Sequence, residues 1–303
     1  MSLDHIHLFE SRTEAFKDSG ILQESVVTKS RKLGTRSSHV SVTGSFGKDI
    51  PRNLDVQEVL QDDIVDNSCG ERMVKIPVSK SDCQIMRLVE ALPQRFKETG
   101  LQISTGPVVT FRATEYLLRE KNGASVVPLL MPHNIKPLRT EWPVTRKQHP
   151  VYIMDTEGAR RRRLLIPTKN YVLLKRFSSK EEKRRLTASC LIRSEFETKW
   201  IGVENHLNYI FHADRELTLD EVFGIAAVFN SSLVDSYFRI LSGNTQVNAT
   251  EIRNLHFPSL EVVSQIGEEI RAFSERAPSE IERVVSGAFG VERALAECLA
   301  AEA

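Results

Sequence analysis

No run of apolar residues in this chain approaches the ~18 needed to span a bilayer, and its first residues lack the basic-then-apolar layout of a secretory signal. No membrane partner is expected. Cysteine is scarce: Cys69, Cys83, Cys190 and Cys298 stand too far apart for a paired-thiol zinc pattern and are too few for a disulfide framework in 303 residues. They are expected to be reduced thiols of a cytosolic protein. An excess of either charge is also missing. With 41 basic and 40 acidic residues the net charge is +1, so bulk electrostatics announces no polyanionic partner and only a local concentration of charge can. There is no internal repeat, and low complexity is confined to the four arginines at 160–163. What is present is 41% hydrophobic residues, enough to bury a sizeable core in one large domain or two ordinary ones.

Along the chain, β-rich runs are expected at 5–10, 21–28 and 39–43, with a turn at 29–34. Residues 45–69 are acidic and polar and read as a connection with a short strand or helix inside it; a strand is expected at 73–78. Ile85, Leu88, Val89 and Leu92 are spaced for a helix over 82–96, in which Pro93 either kinks the helix or opens a second one. Short β-branched or aromatic runs follow at 107–111, 126–131, 151–154, 171–177, 186–192 and 207–211, for which a mixed or antiparallel sheet is the economical arrangement. The pattern then turns helical. Thr218 and Glu221 form a capping box opening a helix over 219–229, a second helix starts at Ser231 or Ser232, and two more are expected over 262–273 and from about Pro278. The fold class is therefore α+β.

Five stretches carry candidate chemistry. At 242–258 a glycine that can end a helix precedes Asn244, Thr245, Gln246 and Asn248, and Asn248 with Glu251 reads as the cap of a new helix. Asn and Gln can donate to and accept from an adenine edge at once, and a helix start suits a phosphate. On local chemistry alone, simple turning and capping is the commoner use of these residues. From Lys175 to Arg185, a strand delivers Lys175 and Arg176 to a turn with Ser178, Ser179 and Lys180, and a second strand begins at Arg184 and Arg185. This suits phosphate clamping, with Arg able to reach a guanine edge; the alternative is a surface hairpin neutralised by Glu181 and Glu182. Ser104, Thr105 and Gly106 form a turn expected to feed a strand ending near Arg112, fit for a phosphate or for an ordinary Ser/Thr turn. Residues 160–163 read equally as a phosphate-lining loop or a solvated one. Glu204, Asn205 and His206 read either as a loop at a binding surface or as part of a metal-dependent nuclease centre, although His133, His149, His206, His212 and His256 are scattered.

The 242–258 stretch resembles the C-terminal signature of the PstI/BsuBI-type adenine-specific DNA methyltransferases of restriction–modification systems. The resemblance continues through Ile6-His-Leu-Phe-Glu-Ser-Arg12, Leu22-Gln-Glu-Ser25, Ser104 to Val109 with Phe111 and Arg112, Tyr171 and Val172 with residues 175–181, and Gly202 to Asn208, in the family's order. In that family these segments follow the catalytic half. The resemblance implies a fragment: residues 1–76 as closing strands of the methyltransferase sheet and a linker, 77–217 as a β-rich target-recognition half, and 218–303 as its helical half. It implies a cytoplasmic, prokaryotic protein whose partners are double-stranded DNA and the missing N-terminal catalytic domain, with dimerisation through exposed strands as a further expectation. The implied DNA contacts are Ser104, Thr105, Arg112, Lys175, Arg176, Lys180, Arg184, Arg185, Asn205, His206, Asn244, Thr245, Gln246, Asn248 and Arg253.

The parent protein would use S-adenosylmethionine. The family's Asn or Asp followed by two prolines and an aromatic residue is absent here, since none of the 12 prolines adjoins another, and so is the glycine-rich turn after a first strand. No cofactor, no metal and no catalysis are therefore expected of this chain alone. A metal-dependent nuclease and a helical protein-interaction scaffold remain the competing classes.

Overall fold

Residues 2–9, with Ile6, His7 and Leu8 all buried, pair with a strand on either side and form the spine of the first sheet. A computed structural model describes residues 2–11, 25–32, 38–46, 54–67, 73–178, 182–241 and 246–301. By their contacts these divide into two compact units, one of residues 1–91, 236–244 and 291–303, the other of residues 92–235 and 245–290. Each unit contains both helices and sheet strands.

In the first unit β1 (Ser2–Phe9) pairs antiparallel with β2 (Ser25–Arg31) and parallel with β3 (His39–Ser45), and β4 (Gln57–Leu60) adds antiparallel to β3. The sheet order is β2-β1-β3-β4. Strand β2 runs through residues 29–31, which the sequence suggested for a turn; Lys29 and Arg31 pair across to His5 and Ser2. Helix α1 (Gln61–Ile64), the two-residue strands β5 (Val65–Asp66) and β6 (Met73–Val74), and α2 (Lys80–Glu90) complete this stretch. Ser79 caps α2, accepting from the Asp82 N–H while the Asp82 carboxylate accepts from Ser79 N–H. The helix stops at Glu90, so Pro93 lies outside it rather than kinking it.

The second unit holds β7 (Gln94–Arg95), β8 (Leu101–Thr105), β9 (Leu117–Leu118), β10 (Val126–Leu130), β11 (Ile135–Lys136), β12 (Arg139–Thr140) and β13 (Tyr152–Met154). There follow the short helix α3 (Glu157–Arg161) and β14 (Leu165–Pro167), β15 (Tyr171–Lys175), β16 (Ala188–Leu191), β17 (Trp200–Val203) and β18 (Leu207–His212). A mixed sheet is ordered β14-β17-β10-β13-β9, and an antiparallel one β16-β15-β18-β8. Leu130, Ile201 and Val203 of the first share a buried cluster with Leu173, Leu191 and Leu207 of the second. Apolar packing between the two sheets is what fixes the strand ends relative to one another. Two expectations fail here. Residues 107–111 form no strand: the strand is β8, which itself includes Ser104 and Thr105, and β17 was not foreseen. The second hairpin strand opens at Ala188, leaving Arg184 and Arg185 ahead of it.

Helices α4 (Leu219–Phe229), α5 (Ser232–Leu241) and α6 (Ala249–Asn254), the short strand β19 (His256–Phe257), α7 (Leu260–Ala272), α8 (Pro278–Phe289) and α9 (Glu292–Ala301) close the chain. Thr218 and Glu221 cap α4 as the spacing predicts. Gly224 and Gly267 let α4 and α7 touch at the backbone, where a Cβ would stand 1.8 Å from the Val263 carbonyl oxygen and 1.7 Å from that of Asp220, respectively. The mixed content of sheets and helices is that of the α+β class. No described helix is long and apolar enough to cross a membrane.

Candidate nucleic-acid interface

Strand β15 is buried along Tyr171–Leu174 and emerges at Lys175, so its charged end is delivered to a sheet edge by the apolar run before it. The chain then bends. Arg176 donates its N–H to the His206 carbonyl (2.9 Å) and accepts from Val247 N–H (2.7 Å), while Phe177 bridges to Gln246. The Arg176 guanidinium donates to the Asn205 carbonyl (3.2 Å) and to Gln246 Oε1 (3.0 Å), and lies 5.4 Å from the Phe177 ring centre. One arginine thereby ties together the end of β15, the 204–206 turn and the segment leading into α6. With Oε1 committed to Arg176, Gln246 keeps its NH2 for a ligand: that group makes no hydrogen bond among the described residues.

The second component is a carboxylate–imidazole pair. Glu204 follows β17, is 1% exposed, and turns both oxygens to His206: Oε2 accepts the backbone N–H (2.8 Å) and Oε1 accepts from Nδ1 (2.6 Å). A buried carboxylate on Nδ1 fixes the ring's orientation and leaves Nε2 as the nitrogen for an outside partner. The His206 side chain is half exposed and meets Phe177 edge-on at 4.7 Å. Gly106 makes room for this turn, because a Cβ there would fall 2.3 Å from the Glu204 carbonyl oxygen. Beneath it, fully buried Asn208 accepts from the Thr105 hydroxyl (3.0 Å) and donates to the Val247 carbonyl (3.0 Å). Arg253 of α6 donates to the Ile103 carbonyl (2.9 Å), and Glu251 accepts from the Asn248 N–H (3.2 Å) at the start of that helix.

The structure thus brings Thr105, Arg176, Asn205, His206, Gln246, Asn248 and Arg253 into one connected set, with Ser104 beside Thr105 on β8 opposite Tyr209. Lys175 is half buried on the same strand end; burial first, then repulsion from Lys136, lowers its ammonium pKa, with Glu182 opposing and Arg146 adding the smallest push downward. Arg112 stands instead on the turn Thr110–Arg112, 5.3 Å from the ring centre of exposed Phe111, and bonds to none of the set. Lys180, Asn244 and Thr245 lie outside the described residues.

Arg185 and Arg184, two of the expected contacts, are engaged within the chain. Arg185 is 1% exposed and donates to the Ser178 carbonyl, whose residue's hydroxyl in turn donates to the Arg185 carbonyl (2.7 Å). A side chain so buried is structural and cannot meet phosphate in this fold. Arg184 is committed to the Asn230 carbonyl (2.6 Å) and the Glu282 carboxylate (2.9 Å). The 160–163 run starts in the last turn of α3 and leaves it in a turn at Arg162 and Arg163, with Arg160, Arg161 and Arg162 paired to Asp155, Glu157 and Glu115. Among the described residues no group of three His, Cys, Asp or Glu side chains is placed to hold a metal ion, so Glu204 and His206 stand as a pair without a third ligand.

Sequence reading missed Phe177 and Asn208, and gave Glu204 a loop or metal-site role rather than that of holding His206. Phe177 is 40% exposed and supports two of the key side chains; Asn208 and Glu204 hold the turn from below. The one signal was their position inside runs singled out for other residues.

The chain is thus a mixed α/β protein with a cation, an imidazole and amides gathered at strand ends. Known proteins give that description a family context. The chain is 33% identical over 287 residues to the type II methyltransferase M.PstI of Providencia stuartii, covering 94% of this chain and 55% of that protein. It is 36% identical over 273 residues to the type II methyltransferase M.BsuBI of Bacillus subtilis, covering 88% of this chain and 52% of that protein. The chain is thus homologous to PstI/BsuBI-type methyltransferases and spans about half the length of these relatives. No protein-family model matches it. Among solved structures, the type IIG restriction endonuclease BpuSI aligns with a TM-score of 0.49 at 12% identity, over 98% of this chain and 43% of that one. The type IIL restriction-modification enzyme MmeI, solved in complex with DNA, aligns with a TM-score of 0.46 at 11% identity, over 95% and 43%.

Proposed function

We propose that this chain is the DNA-recognition portion of a site-specific N6-adenine DNA methyltransferase, holding a duplex while a catalytic domain outside this chain transfers a methyl group to adenine. The observation that carries the proposal is the Phe177–Gln246 bridge with the Arg176–Gln246 hydrogen bond. It unites an amide corner with a cationic strand end, the two features a duplex would have to touch together. Arg176, Gln246 and Asn248 face base edges or phosphates, and His206 offers Nε2 from a carboxylate-held ring. Homology to M.PstI and M.BsuBI supports the reaction class.

S-adenosylmethionine would serve the parent enzyme, but the residues of this chain do not fit it. Among the described residues no strand leads through a glycine-rich turn into an α-helix: the connections before α1, α2, α3 and α4 contain no glycine. Binding of the adenosyl group therefore falls to the rest of the parent protein.

The test is duplex binding measured across a salt series. Affinity should fall as salt rises, with a log–log slope of about −0.9 for each phosphate neutralised. Replacing Gln246 and Asn248 by Ala should narrow the gap between cognate and unrelated sequences while that slope persists. Binding indifferent to salt, or a double variant that discriminates as well as the parent chain, would sink the proposal.

A further inference from the structure

The chain exposes many arginines and neutralises most of them. Arg139 is paired with Glu141, Arg193 with Glu216, Arg215 with Glu221, and three arginines of the 160–163 run with acids of their own. The surface at 132–149 is one that departs from this habit. The segment 132–149 carries Lys136, Arg146 and Lys147, all exposed, and among the described residues none of them, nor Lys175, has a carboxylate at ion-pair distance.

The fold holds this segment against the end of β15. The hairpin β11–β12, paired Ile135 to Thr140 and Lys136 to Arg139, is pinned to β16 by Leu138 N–H donating to the Ala188 carbonyl (2.9 Å) and by Thr140 and Ser189 hydroxyls at 2.8 Å. Strand β16 pairs directly with β15, which ends at Lys175. Farther along, the His149 N–H donates to the Arg146 carbonyl (3.1 Å), and the His149 ring stands 5.5 Å from that of His133. The cations are close enough to feel one another. Burial is the first cause lowering the His133 pKa, and Arg146, His149 and Lys136 follow; for Lys175, burial is followed by Lys136. Glu182 opposes this at Lys175, and the Val144 backbone supports the charged form of His133. Gathering like charges without counterions costs stability, which an external anion would relieve.

We propose that Lys136, Arg146 and Lys147, with Lys175, form a phosphate clamp that grips the backbone of duplex DNA beside the patch around Arg176. This rests on the proposed function and extends it: the Arg176–Gln246 corner reads the site, while the 132–149 segment supplies sequence-independent affinity. The division follows from chemistry. The clamp consists of three ammonium point charges and one guanidinium with no fixed amide partner, which attract phosphates without selecting a base.

The experiment is duplex binding by the 303-residue chain and by the Lys136→Ala/Arg146→Ala/Lys147→Ala triple variant, over a salt series, on a cognate and an unrelated sequence. All three side chains are exposed, so an unchanged thermal transition is expected. The triple variant should lose affinity by on the order of tenfold or more for both sequences alike, and its log–log salt slope should shrink by about 2 to 3. Arg161→Ala, which removes a cation that already has an acid, serves as the control and should leave the slope unchanged. An unaltered slope in the triple variant, or an equal loss in the control, overturns the clamp and leaves the proposed function standing. A parent chain that binds no duplex at all overturns both.

Discussion

The arginine run at 160–163 and the Lys175–Arg176 pair carry similar charge, and the fold disposes of it in different ways. On α3 each of the first three arginines finds a carboxylate within its own neighbourhood, two of them within five residues along the chain. Such pairs leave little net field and contribute little to stability on an exposed surface. Arg176 has no acid. Its guanidinium is satisfied by a backbone carbonyl and an amide oxygen, neutral groups that fix its position without cancelling its charge. Arg185, nine residues on, shows a third fate, buried against a carbonyl as a structural strut. Charge density in the sequence is therefore a poor guide to where a polyanion would dock; the identity of each cation's partner is a better one.

The sharpest way to break this contrast is to substitute Arg185. Arg185→Met should cost on the order of 2–4 kcal/mol in chemical denaturation, because the Ser178 carbonyl loses its buried donor, while DNA affinity per folded molecule stays the same. Normal stability with weakened binding would instead put Arg185 on the interface. Next in size, Arg176→Ala should weaken duplex binding by about 1–3 kcal/mol, and Arg176→Lys should recover only part of it, since an ammonium cannot fork between the Asn205 carbonyl and Gln246. Full recovery by lysine would mean that charge alone matters there.

A smaller effect is expected at Glu221, the acid that neutralises Arg215 and caps α4. Burial pushes its pKa up, but the Arg215 fork and the Thr218 N–H outweigh that and hold it below the ordinary glutamate value. A folded pKa below the unfolded one, about 4.3, gives stability that is complete above that value and is lost as pH falls through the folded one. The melting temperature should accordingly drop on acidification below about pH 4.3, and Glu221→Gln should flatten that drop. A variant whose acid-side profile matches the parent's would remove Glu221 from this role. Smallest of all, Arg161→Ala should leave both melting temperature and binding where they were; a measurable loss in either would show that pairing with Glu157 does not cancel its influence.

Much of the local structure was legible along the chain. Thr218 with Glu221 marks a helix start because hydroxyl and carboxylate each accept the other residue's N–H, and at Asn248 the Glu251 carboxylate accepts the Asn248 N–H. The apolar runs at β10, β15 and β18 stood out for the same reason: their burial pattern is carried by the residues themselves. Strand β8 escaped because Leu101–Thr105 alternates polar and apolar residues over only five positions and gains its identity by pairing with β18. The candidate site was half visible. Arg176, His206 and Gln246 were singled out by type, but that Arg176 bonds Gln246 seventy residues away is a fact of packing.

What the sequence by itself determined here is what neighbouring residues can settle among themselves: helix caps, strand alternation, and the missing adjacent prolines and glycine-rich turn. Only the tertiary structure decided which cations keep their charge. Their partners come from distant segments, Glu282 for Arg184 and Gln246 for Arg176, and electrostatic neutralisation depends on distance in space, which the chain's linear order does not record.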